Sequence, residues 1–245
     1  MSEQSIIKRI VKQIIKIFPV GLTENERIDR LTNKVISRVS SAESIFIDVG
    51  AHKGKILRLM HKAAPHHKHY AFEPIDELYN MLEAKYGSIA HIYKIALSDQ
   101  KNLAPFNLVV TDMAYSGLQK RAYDKPEKDV AILVETDLLD NIIPSSKKIA
   151  LLKIDVEGGE MLVLKGAEET IRRSNPIILF EFGKAGAEAY QNTPAMMYNY
   201  FSEKLGYEIY TLPSWLQQLS ALSPAEFQAF YESGEVYFFL AAPSK

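Results

Sequence analysis

The 245-residue chain contains no cysteine. Disulfides, cysteine-zinc sites and thiol nucleophiles are therefore excluded, and the absence agrees with a reducing compartment. Net charge is almost lacking: 29 Lys and Arg stand against 30 Asp and Glu, leaving a formal −1. A surface-wide polyanion binder would carry a basic excess, so nucleic acid is not the expected partner. No run approaches the 18 or more apolar residues of a membrane-spanning helix. The clean apolar runs, such as Val236 to Ala242, have strand length. The apolar-rich start, Ile6 to Leu22, is interrupted by Lys8, Arg9, Lys12 and Lys16. It lacks the uninterrupted core and small-residue cleavage site of a secretory signal. A soluble, cytoplasmic protein without stable membrane insertion is the expectation.

What is present is ordinary for a globular chain: 47% hydrophobic and 24% charged residues, which excludes fibrous and disordered classes. The length suits one large domain with an appendage. Residues 3–18 repeat Ile6, Ile7, Ile10, Val11, Ile14, Ile15 and Phe18 at helical spacing, and Pro19 and Gly21 end the pattern. Thr23 with Glu26 resembles a capping box opening a second helix, Glu24 to about Val39. Residues 1–43 thus read as a helical prefix, and 44–245 as the main domain. The basic first helix is read as packing on a neighbour rather than lying on a membrane. The N-terminal helices also offer a face for homo-oligomer formation.

From Ser44 strands alternate with helices. Strands are expected at Ile45 to Val49, His69 to Phe72, His91 to Leu97, Ile149 to Asp155, Pro176 to Glu181, Tyr207 to Leu212 and Glu235 to Ala242. Helices are expected at Lys55 to Ala64, Asp76 to Tyr86, Glu160 to Arg173 and Pro194 to Leu205. An inserted strand pair, Phe106 to Thr111 and Val130 to Thr136, interrupts them. The fold class is α/β: a mainly parallel seven-stranded sheet with helices on both faces.

In such a sheet ligands bind beyond the carboxyl ends of the strands. The polar residues there are Asp48 with Gly50, Glu73, Ser98 with Asp99, Asp155 with Glu157, and Glu181. Asp48-Val49-Gly50-Ala51-His52-Lys53-Gly54 is a reduced glycine-rich nucleotide loop between strand and helix. Gly50 permits a tight turn, and Gly54 close helix–strand packing; the bland alternative is a plain glycine turn. Glu73 follows Gly50 by 23 positions, matching an acid that accepts both ribose hydroxyls; its bland reading is a helix-capping acid before Pro74. Asp48 would repel a pyrophosphate but suits a cofactor with a cationic amine. The loop therefore points away from a dinucleotide and toward S-adenosylmethionine.

These residues, together with Ala96-Leu97-Ser98-Asp99, Leu152-Lys153-Ile154-Asp155-Val156-Glu157-Gly158-Gly159-Glu160, Val163-Leu164-Lys165-Gly166-Ala167, Pro176 and Phe180-Glu181, resemble the FkbM-type methyltransferases. Those are class I, S-adenosylmethionine-dependent enzymes with a Rossmann-like fold. The resemblance spans about residues 44–183. It implies O-methylation of a hydroxylated small molecule, often a natural product or a sugar. It places Asp48, Gly50 and Gly54 at the methionine end, Glu73 on the ribose, Ser98 and Asp99 beside the adenine, and Asp155 and Glu157 by the transferred methyl. His52, counted with the cofactor loop, stands where the family usually has Asn. Asp155 or Glu157 serves as general base, or else both only bind the cofactor amine and cap the next helix. The alternative function is a non-catalytic nucleoside- or protein-binding module.

Other features receive bland readings. His61, His66, His67 and His69 read as a solvated turn rather than a metal site. Asp155, Glu157 and Glu181 have the chemistry for Mg²⁺, but nothing in the sequence demands it and no metal is assigned. The aromatics from Tyr190 through Trp215 to Tyr231 line a substrate pocket or fill the core around the last strands.

Overall fold

The computed structural model describes residues 24–244. The first-helix expectation over residues 3–18 and the Thr23 cap lie outside the described residues. The chain runs α1 (Glu24–Val39), β1 (Ile45–Val49), α2 (Lys55–Ala63), β2 (His69–Phe72), α3 (Asp76–Tyr86), β3 (Ala90–Tyr93), β4 (Ala96–Leu97), β5 (Asn102–Val109), β6 (Asp129–Asp137), α4 (Leu139–Ile142) and β7 (Ile149–Ile154). It continues with α5 (Glu160–Lys165), α6 (Glu168–Ser174), β8 (Ile177–Glu181), α7 (Lys184–Ala189), α8 (Pro194–Asn199), β9 (Tyr207–Thr211), α9 (Leu212–Leu216), α10 (Pro224–Ser233) and β10 (Phe238–Pro243).

Seven strands form one sheet in the order β3-β2-β1-β7-β8-β10-β9. All neighbours are parallel except β10, which is antiparallel to both β8 and β9. The order reverses between β1 and β7, so their carboxyl ends open the crevice where such folds bind ligands. Strand alternation assigns the two faces. Ile45, Ile47 and Val49 of β1 join Leu152 and Ile154 of β7 in a core closed by Val163, Leu164 and Ile171 of α5 and α6. Phe46 and Leu151 point the other way, onto Leu31, Val35 and Ile36 of α1 and Met60 of α2. Val35 and Ile36 are fully buried. The described half of the prefix is therefore a structural layer of the main domain.

Three expectations are revised. His91 to Leu97 is not one strand: β3 pairs with β2, while β4 leaves the main sheet to pair with β6. Lys94 and Ile95 carry the chain from the edge of the main sheet to the inserted one, order β4-β6-β5, where the Ala96 and Leu97 backbone pairs with Thr136 and Asp137. The helix over Glu160 to Arg173 breaks into α5 and α6 at Gly166-Ala167, where the Gly166 carbonyl accepts the Asp140 N–H (3.0 Å). His69 is not in a solvated turn: it is fully buried in β2, stacks on Phe46 (5.1 Å) and accepts its N–H at Nδ1. Burial lowers its pKa to about 4, so it packs as a neutral ring. His66 is exposed, and His67 pairs with Glu43 (2.8 Å). The inserted strand pair is present as β5 and β6. Helices α7, α9 and α10 were not anticipated.

Candidate active site

Each site residue owes its place to a strand end. β1 is buried throughout, and the chain leaves it at Gly50 with φ +71°. A Cβ there would sit 1.9 Å from the Asp155 carbonyl oxygen, so only glycine lets this turn rest against the end of β7. His52 follows with φ +49°. Asn, Asp and His tolerate that left-handed region better than most residues. An Asn-to-His exchange at this position therefore preserves the backbone. Gly54 packs on Tyr86 and Leu82 of α3, so its close contact is helix against helix, not helix against strand.

Glu73, at the end of β2, is nearly buried. Its Oε2 accepts the His52 N–H (2.9 Å) and its Oε1 accepts the Ile75 N–H (3.1 Å). Burial raises its pKa, opposed by those two N–H groups. Each oxygen keeps a lone pair for a further donor. Glu73 borders a cavity whose apolar walls include Phe72, Ile95, Leu97, Phe106 and Met113. The same cavity reaches Asp155 and Glu157 at its other end. The structure thus brings Gly50, His52, Glu73, Asp155 and Glu157 to one cleft.

It does not bring Ser98 and Asp99 there. The Ser98 N–H is tied to the Asp137 carbonyl at the end of β6 (3.0 Å), and its hydroxyl donates to Asp99 (3.4 Å), just past β4 of the inserted sheet. Ile95, Ala96 and Leu97, just before them, line the cavity instead. Asp48 also stands back: its side chain is 1% exposed and lies 3.2 Å from the Lys153 ammonium.

At the ends of β7 and β8, carboxylate oxygens of Asp155, Glu157 and Glu181 lie within 4.8 Å of one another. Strand alternation carries Asp155 to the side of Lys153 (3.5 Å). Glu157 lies past the strand, at φ +59°, a strained backbone of the kind that persists where surrounding structure holds it. Burial, then the charge of Asp155, pushes Glu157 up to about 8, with Arg121 pulling against them. Glu181 is raised well above its ordinary value by burial and by Glu157 and Asp155. Glu160, fully buried, accepts the Val156 and Gly158 N–H groups (3.1 and 3.2 Å), and burial raises it to about 7. Burial, with the neighbouring charges, thus leaves Glu157, Glu160 and Glu181 basic for carboxylates.

Arg121, missed in the sequence, and Tyr190, expected there among the aromatics of a substrate pocket or the core, complete the site. Arg121, from the loop joining β5 to β6, ion-pairs with Glu157 and lies over the Tyr115 ring (5.0 Å). The Tyr190 hydroxyl accepts the Gln119 N–H (3.0 Å), pinning the same loop. No local signal marked Arg121, because 36 residues separate it from its partner. Tyr231 and Tyr237 line the wider groove beyond Glu181, whereas Phe227 is core and Trp215 packs under Arg38 (5.3 Å). The C-terminal aromatics divide between both readings.

Comparison with solved structures returns the same architecture. A methyltransferase FkbM from Methylobacillus flagellatus KT superposes with a TM-score of 0.51 at 15% identity, covering 83% of this chain and 44% of that one. The chain thus spans less than half the length of that structure. The O-methyltransferase TomG from Streptomyces achromogenes, solved with SAM, gives 0.49 at 6% identity over 96% of this chain and 86% of its own. No curated protein matches the chain. No helix among the described residues is long and apolar enough to cross a membrane. The methyltransferase FkbM domain matches residues 48–209, more than half of the sequence and the whole of the cleft from Asp48 to Glu181, and the chain therefore belongs to the FkbM methyltransferase family, whose methyl donor is S-adenosylmethionine.

Proposed function

We propose that this protein is an O-methyltransferase acting on a hydroxyl of a small molecule, of natural-product or sugar type. The observation that carries the reading is the placement of Glu157: a largely buried carboxylate on the same cavity as Glu73, paired with Arg121 and clustered with Asp155 and Glu181, where burial and the charge of Asp155 raise its proton affinity. The residues fit the family's cofactor. Glu73 has lone pairs for a ribose diol, and the apolar slot between Phe72, Ile95 and Leu97 suits a flat base. Gly50 and His52 shape the loop at the methionine end, with Gly54 seating it, while Asp48 lies buried behind Lys153 and outside the cofactor's reach. S-adenosylmethionine supplies an activated methyl on a cationic sulfur.

The chain's own residues then have two tasks. The first is alignment, because holding an acceptor oxygen in line with the transferred group supplies much of the rate. The loop from Tyr115 to Arg121, tied down by Tyr190 and Glu157, closes the acceptor side and restricts approach. The second is proton removal. Glu157 accepts the hydroxyl proton, and its raised pKa brings it close to the working pH, where a general base is most effective. Asp155, 37% exposed in the same cluster, is the alternative base. The test is a panel of hydroxylated acceptors scored by release of demethylated cofactor. Turnover with alcohols or sugars is the expected result; a protein that binds S-adenosylhomocysteine yet methylates only amines overturns the O-methyl assignment.

A further inference from the structure

Building on the cofactor reading above, we propose that Lys153 is a positioning residue: its ammonium ties the glycine loop after β1 to the end of β7 and aims the Asp155 carboxylate into the cleft. Lys153 sits in the middle of the sheet, its side chain 5% exposed. Its Nζ donates to the Gly50 carbonyl at 2.7 Å and the Val49 carbonyl at 3.1 Å. Asp48 Oδ1 lies at 3.2 Å and Asp155 Oδ2 at 3.5 Å. Two carbonyl acceptors and two carboxylates, from the ends of two adjacent strands, thus surround one compact ammonium, a geometry that suits lysine and not the planar fork of arginine.

A buried ion pair is weak evidence for a stabilising purpose, since well-packed apolar residues often do as well. The exposures separate the roles. Asp48 is 1% exposed and cannot present itself to a ligand, whereas Asp155 is 37% exposed and faces the cavity. Asp48 balances the charge from behind. The ammonium in front holds two loop carbonyls and one side of Asp155, leaving the other carboxylate oxygen for the cleft. Burial opposes the Lys153 charge, but Asp48 and Asp155 hold its pKa above the ordinary lysine value, so the tie persists at every physiological pH.

The test uses the full chain and S-adenosylhomocysteine as probe. Lys153→Met alone strands the Asp48 charge and should destabilise the fold. The double variant Asp48→Asn/Lys153→Met removes both charges. It should recover most of the lost Tm yet bind the probe about tenfold or more weakly by calorimetry, the scale of one charge-assisted hydrogen bond. Amide exchange at residues 49–54 should quicken in it while α3 and α6 stay protected. Asp48→Asn alone, which keeps the carbonyl ties, should retain probe affinity. A double variant that binds the probe like the parent, or an Asp48→Asn variant that loses affinity as fully as the double, overturns the proposal. If the unaltered protein does not bind the probe, the cofactor reading itself falls, which is a different result.

Discussion

The two ends of the cleft surround their acids differently. At the end of β2, Glu73 is held by two backbone N–H donors, which oppose the rise that burial causes. At the ends of β7 and β8, Asp155, Glu157 and Glu181 crowd within 4.8 Å, and burial first, then the neighbouring charges, raises the proton affinity of Glu157 and Glu181, with Arg121 opposing the rise at Glu157. At Glu73 two backbone donors oppose the effect of burial. At Glu157 a neighbouring carboxylate adds to it, which is what the proposed base requires. The difference is set by neighbours, because both ends use the same carboxyl chemistry.

Amide substitutions should break the contrast most sharply. Glu157→Gln keeps the shape and removes the basicity. Turnover should fall about 100-fold or more, with S-adenosylhomocysteine affinity little changed. Equal losses in both would move Glu157 to the binding end. In the intact protein, kcat should rise with pH toward an apparent value near 8, because Glu157 must lose its proton to act as base. A flat profile between pH 6 and 9, in ~0.5-unit steps of buffer, would remove it from that role.

Next in size, Glu73→Ala should weaken cofactor binding by about 2 kcal/mol, roughly 30-fold, since it deletes charge-assisted hydrogen bonds. Unchanged affinity in a folded variant would mean that the ribose lies elsewhere.

A smaller effect sharpens the comparison through stability. Glu157 and Glu160 have folded pKa values of about 8 and 7, above the ordinary 4.5, and Glu181 is raised as well. Such groups bind protons more tightly in the folded chain. Their contribution is complete below pH 4.5 and is lost as pH rises through about 8. The Tm of the ligand-free protein should fall over that window. Glu181→Gln should flatten the fall and raise Tm at pH 8 more than at pH 5; an equal shift at both pH values would count against a strained carboxylate cluster. Smallest of all, a chelator should leave turnover unchanged, because Arg121 and Lys153 already occupy the cluster as the cationic partners of Glu157 and Asp155. Loss of activity restored by Mg²⁺ would turn the acceptor end into a metal centre.

Much of this was legible before any coordinates. β1, β2, α3 and β8 lie within a residue of their expected bounds, because short apolar β-branched runs closed by Gly, Pro or acids carry their own punctuation. Glu73 was legible through its spacing from Gly50. Errors gathered where partners are distant. The break between β3 and β4 depends on β6, some 40 residues later. Helices α7, α9 and α10 are short or weakly patterned, and tertiary contacts form them. Asp48 looked like a ligand-facing acid because a sequence shows strand position but not what stands in front of it.

The sequence by itself determined the alternation of strand and helix, the carboxylates at strand ends and the glycine turns between them, since each is a local matter of pattern and backbone conformation. Tertiary structure alone decided which carboxylates meet. Parallel pairing of β1 with β7 places Lys153 against the loop of Asp48 and Gly50 across about a hundred residues, and the inserted strand pair delivers Arg121 to Glu157. Charge, burial and proton affinity depend on distance in space, and only the folded sheet brings those groups within reach of one another.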